Sequence, residues 1–94
     1  MSTGDAVGLV EVRGLIGAIG AADVMAKAAA VRVGRAVLIG DGLVTVVCRG
    51  QIAAVQEAVS AGSEAAARIG TLVAGRSFGR LLGEVERAFE FEGR

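Results

Sequence analysis

Arg35 to Gly50 reads RAVLIGDGLVTVVCRG, and the fold turns on how this stretch is read. Two apolar runs, Ala36 to Ile39 and Leu43 to Cys48, flank Gly40-Asp41-Gly42. An Asp-Gly pair between two β-rich runs is a strong short-range hairpin signal. The turn takes φ > 0 at positions where glycine has no Cβ to clash. Taken alone, Asp41 is a good turn former and nothing more.

On the N-terminal side, Val7 to Arg13 (VGLVEVR) alternates partly and reads as a strand that Gly14 stops. Leu15, Ile19, Ala22, Ala26 and Ala29 then recur at helical spacing, which predicts a helix to about Ala29 with those residues as its buried stripe. Asp23 and Lys27 stand four apart on another face, an i,i+4 pair contributing roughly 0.3–0.5 kcal/mol. Ala30 to Leu38 returns as a strand into the hairpin. On the C-terminal side, Gly50 opens a second helix with Ile52, Val55, Val59, Gly62, Ala66 and Ile69 along one stripe and Gly70 as its stop. Thr71 to Phe78 is the fourth strand candidate.

The two halves echo each other. Arg13-Gly14 and Arg49-Gly50 each close a strand and open a helix, and Ile16, Ala18, Ile19 and Ala22 are answered by Ile52, Ala54, Val55 and Ala58. The expected fold class is therefore α+β, an α/β sandwich of split-βαβ type. Its order is β-α-β-β-α-β, with a four-stranded antiparallel sheet and both helices on one face. Arg80 to Phe91 carries Leu81, Leu82, Val85, Ala88 and Phe89 at helical spacing, a short C-terminal helix that can cover part of the other face. Residues 1–80 are expected to be a single domain and 81–94 an amphipathic tail.

Composition bounds the function. A domain of 94 residues buries only about 60–65% of the surface its unfolded chain exposes. Yet 53% of the residues are hydrophobic and mean hydropathy is +0.61, which predicts extensive burial against other copies of the chain. Charged residues interrupt every apolar run before membrane-spanning length, and Met1 to Asp5 lacks the character of a signal peptide, so no membrane partner is expected. Ten basic and ten acidic residues cancel, removing the usual electrostatic case for nucleic acid. No strand carries the stacking aromatics of an RNA-binding sheet. With no histidine and Cys48 as the single cysteine, neither a metal site nor a disulfide nor any other cofactor is expected, and a reducing cytoplasmic setting fits. There is no nucleophile beside a base and no phosphate loop; Gly4, Gly8 and Gly14 are scattered glycines. An enzyme is not expected.

Four motifs in order carry a resemblance: Val10-Glu11-Val12-Arg13-Gly14-Leu15, Ala21-Ala22-Asp23-Val24-Met25-Ala26-Lys27, Ile39-Gly40-Asp41-Gly42-Leu43-Val44-Thr45-Val46, and Ala61-Gly62-Ser63-Glu64-Ala65-Ala66. From about Val7 to Arg80 the chain resembles the single-domain, hexamer-forming shell proteins of bacterial microcompartments. The resemblance implies a cytoplasmic shell tile: a cyclic homohexamer that joins laterally into sheets, with other shell proteins and encapsulated enzymes as partners. It implies that Ile39, Gly40, Asp41 and Gly42 line a central pore for small polar metabolites. It also implies that Lys27, with Asp23 beside it, and Arg80 lie at the hexamer edge, Arg76 being the alternative to Arg80. Family members often carry serine between the two pore glycines; a ring of Asp41 carboxylates should disfavour anions unless hydrogen-bond donors or cations compensate. A small-molecule-binding regulatory domain of the same topology is the other functional class compatible with the residues.

Overall fold

β-branched runs and glycine punctuation divide the chain into alternating strands and helices, and the computed structural model describes residues 5–34 and 36–89. In chain order the elements are β1 (Ala6–Arg13), α1 (Leu15–Ala28), β2 (Arg32–Val33), β3 (Val37–Gly40), β4 (Leu43–Gly50), α2 (Ile52–Ile69), β5 (Thr71–Phe78) and α3 (Gly83–Phe89). The sheet is antiparallel, in the order β2-β4-β1-β5, and β3 also pairs with β4.

The single strand expected from Ala30 to Leu38 is two. β2 pairs with Cys48 and Arg49, β3 pairs with Leu43 to Thr45, and the register slips by one between them. The Gly34 N–H still reaches the Val47 carbonyl at 2.8 Å, so the two short pieces act as one bent edge strand. Such a break twists the edge and shortens the ladder it offers. The sheet thus has five strand segments where four were expected.

Alternation sorts the side chains of β1 and β4 onto two faces. Ala6, Val10, Val12, Val44, Val46 and Cys48 point to the helices and form the core with Ala18, Ala21, Met25, Val55, Ala58, Val59 and Ala66. The layers approach closely because the contacts are small. A Cβ on Gly8 would stand 2.5 Å from Val59 Cγ2 and 2.8 Å from Val55 Cγ1, and one on Gly62 2.5 Å from Met25 Cγ. Burial pushes the Cys48 thiol up, only partly offset by a hydrogen bond with the Gly8 backbone, so it stays protonated and inert.

The buried face of α1 keeps Ala22 and Ala29 of the expected stripe, partly buried against the core, but not its large residues. Gly17, Ala18, Ala21 and Met25 face the core, whereas Leu15, Ile16 and Ile19 are 57%, 76% and 60% exposed. Both faces of α1 are apolar, so periodicity alone selects neither; the small residues go inward, where α1 and α2 must cross closely. On α2 the buried residues are Val55, Ala58, Val59, Gly62, Ala65 and Ala66, while the terminal Ile52 and Ile69 remain exposed.

The other face of the sheet carries α3 at one end. The group that docks it is Glu86, ion-paired with Arg49 of β4, both only 2% exposed. Of the expected anchors, Leu81 is half-buried, whereas Leu82, Val85 and Phe89 are 72%, 37% and 65% exposed, Phe89 at the rim of the sheet-side groove. Phe91 lies outside the described residues.

Candidate pore tip and assembly surfaces

The hairpin tip follows from backbone chemistry. Gly40 and Gly42 have φ of 122° and 78°, and Asp41 between them adopts φ 55°. That is the left-handed region which glycine enters freely and which aspartate tolerates better than most side chains. Two bonds pin the tip to the end of β1: the Gly14 N–H donates to the Gly42 carbonyl at 2.6 Å, and Arg13 Nη1 donates to the Asp41 carbonyl at 2.8 Å. Both come from the Arg13-Gly14 pair that the sequence marks only as a strand end. The whole tip, Ile39 included, is exposed.

Strand register places the remaining candidates relative to this tip. Arg13 pairs with Leu43 on one side and Thr71 on the other, so the tip, the end of β1, the start of β5 and the adjoining start of α1 share one pole. Ala6 pairs with Gly50 and Val7 with Phe78, which defines the opposite pole. The end of α1 arrives there, since a Cβ on Gly50 would lie 3.2 Å from the Ala30 carbonyl. Arg80 lines a depression at this far pole together with Asp5, Ala6, Gln51, Ile52 and Gly79. Asp23 and Lys27 sit on the last two turns of α1, their carboxylate and ammonium 2.8 Å apart and largely solvated. The expected pore and edge residues thus fall at opposite ends of one molecule. Arg76 is different: it lies mid-strand opposite Leu9, faces the open side of the sheet and donates to the Gly75 carbonyl.

Two apolar surfaces stay uncovered, one on each side of the domain. On the helix side, Leu15, Ile16, Ile19 and Ile69 form an exposed patch at the tip end. On the sheet side, a groove of about 380 Å³ is lined by Leu9, Val37, Ile39, Val47, Ala74, Phe78 and Phe89, with Glu11, Thr45 and Arg76 at its polar positions. Among the described residues no cluster of His, Cys, Asp or Glu could hold a metal ion, and no helix is long and apolar enough to cross a membrane.

Neither Arg13 as the clamp on the tip nor Glu86 as the anchor of α3 is legible as such in the sequence. Arg49 leaves a faint signal, a charge on a strand otherwise almost wholly apolar. Glu86 leaves one too, a carboxylate among the apolar positions of a short helix.

Comparison with known proteins agrees with this architecture. The model of the BMC domain matches residues 6–78. Carboxysome shell protein CsoS1C of Halothiobacillus neapolitanus is 49% identical over 85 residues, covering 89% of this chain and 87% of that protein. Carboxysome shell protein CsoS1B of Hydrogenovibrio crunogenus is 47% identical over 95 residues, covering 98% of both. A crystal structure of a microcompartment protein from Desulfitobacterium hafniense superposes with a TM-score of 0.77 at 34% identity, covering 86% of this chain but only 44% of that longer one. With the domain model spanning most of its length and shell proteins nearly half identical to it end to end, this chain belongs to the BMC domain family.

Proposed function

We propose that this chain is a structural shell protein of a bacterial microcompartment of the carboxysome kind, and that six copies close head to tail into a flat ring. Its relatives are named as shell components, not enzymes, and it assembles with other shell proteins in a cytoplasmic compartment. In the ring, Ile39, Gly40, Asp41 and Gly42 line a central pore that passes small polar metabolites. Lys27, Asp23 and Arg80 meet neighbouring rings at the rim, and residues 1–80 constitute the tile.

The observation that carries the reading is the pair of uncovered apolar surfaces. Leu15, Ile16, Ile19 and Ile69 lie on the helix side at the tip end, and the Leu9–Val37–Val47 groove lies on the sheet side. A two-layer domain with two different apolar faces satisfies both by packing the helix face of one copy on the sheet face of the next. Such heterologous contacts generate a ring when the rotation closes. Every radial element then points its Asp41 end to the axis and its Lys27 end outward. The rim residues are charged and solvated, which suits reversible lateral contacts between tiles.

The test is the mass and shape of the protein in solution. Sedimentation should give a species six times the 9.4 kDa chain, and electron cryomicroscopy should show rings with residue 41 at the centre and sheets at high concentration. A monodisperse monomer, a small dimer or trimer, or a ring with Asp41 on its outer rim overturns the proposal.

A further inference from the structure

We propose that Arg13 forms a second charged ring at the pore mouth, and that Arg13 and Asp41 together, rather than Asp41 alone, set which solutes the opening accepts. This rests on the central position of the hairpin tip proposed above.

Arg13 is the last residue of β1 and pairs with Leu43, the first residue of β4, so its Cα lies at the base of the hairpin. Its side chain follows the turn. Cγ stands 3.8 Å from where a Cβ on residue 42 would be, and Nη1 donates to the Asp41 carbonyl at 2.8 Å. With Gly14 bonded to Gly42 at 2.6 Å, one guanidinium and one carboxylate belong to the same three-residue tip. Any arrangement that carries Asp41 to the axis carries Arg13 with it.

The bond goes to the main chain. Arg13 is therefore held by geometry that does not require the Asp41 carboxylate, and its charge stays exposed at the pole. Glu11, the acidic residue nearest along β1, faces the open side of the sheet, where Thr45 donates to it at 3.4 Å. Arg68, on the last turn of α2, is paired with Glu64.

Each subunit therefore brings one positive and one negative charge to the pore mouth. Interleaved guanidinium groups offset the mutual repulsion of the carboxylates, and the ring presents alternating donors and acceptors in place of a uniform field. Such a mouth suits small neutral or zwitterionic solutes and discriminates weakly between simple cations and anions.

Reversal potentials of full-length hexamers in planar bilayers, under a potassium chloride gradient, read this directly. The intact protein should be nearly unselective. Asp41→Asn leaves the Arg13 ring in place and should shift the permeability ratio toward chloride by roughly threefold or more, and Arg13→Gln should shift it as far toward potassium. An Asp41→Asn pore that is merely unselective, beside a potassium-selective parent, overturns the role of Arg13 while leaving the pore placement standing. An Asp41→Asn pore identical to its parent removes residue 41 from the pore and fails the underlying reading instead. If Arg13→Gln does not form rings, Asp41→Asn still decides, and Arg13→Lys, which keeps the charge, should restore the parental ratio.

Discussion

Gly8 is held on three sides by side chains of the core. The sequence offers it as one of several scattered glycines, and only the packing of α2 across β1 shows why it has no side chain. An added methyl would meet Val59 Cγ2 at 2.5 Å, Val55 Cγ1 at 2.8 Å and Cys48 Sγ at 2.9 Å. Both valines are branched at Cβ and fixed on a helix, so they cannot turn aside. Gly8→Ala should lower unfolding free energy by about 1–3 kcal/mol in urea titrations; a parental midpoint would show that α2 can lift off the sheet without cost. Asp41 is the opposite case. Its turn is legible from Asp-Gly chemistry alone, because a positive φ between two apolar strands has few tenants.

At the scale of elements, strand and helix boundaries follow from local pattern. β5 begins at Thr71 and ends at Phe78, as its residues indicate, and α2 stops at Ile69 before Gly70. Faces are less legible. α1 carries alanine and glycine on one side and leucine and isoleucine on another, and hydropathy favours the wrong one. The core takes the small side because α1 and α2 pack at a distance that only alanine, glycine and methionine accommodate. α3 is misread for a related reason. Its apolar residues suggest docking by Leu82 and Phe89, yet it is anchored by a buried charge pair whose partner lies thirty-seven positions away. A buried pair broken from one side leaves its partner uncompensated, and the least costly relief here is to release the helix. Glu86→Ala should therefore undock α3 while the sheet persists. Hydrogen exchange of amides 83–89 should accelerate about tenfold or more, with the protection of β1 and β4 kept. Unchanged exchange at 83–89 would mean that apolar contacts hold α3 without the pair.

For the whole molecule, the proposed ring would resolve the mismatch between hydrophobic content and chain length between subunits. Ile16 is 76% exposed and lies outside the buried core. Ile16→Glu should leave the stability of the isolated chain within about 0.5 kcal/mol of its parent. In the proposed ring the same substitution falls at every contact, so a loss of about 2 kcal/mol at each is multiplied around the circle. Sedimentation should find monomers at concentrations where the parent forms rings; intact rings would remove Ile16 from the interface.

By itself the sequence determined the strand–helix alternation, the hairpin with Asp41 at its tip, the surplus of apolar surface and the family. Those properties reside in local backbone preference, in residue counts and in motifs read in order. Only the tertiary structure decided which face of α1 is inside, that the edge strand breaks at Gly34, that Glu86 rather than Phe89 seats α3, and that Arg13 grips the hairpin. Each of these depends on distances between residues remote in the chain, and the close packing that sets those distances leaves no periodic trace along it.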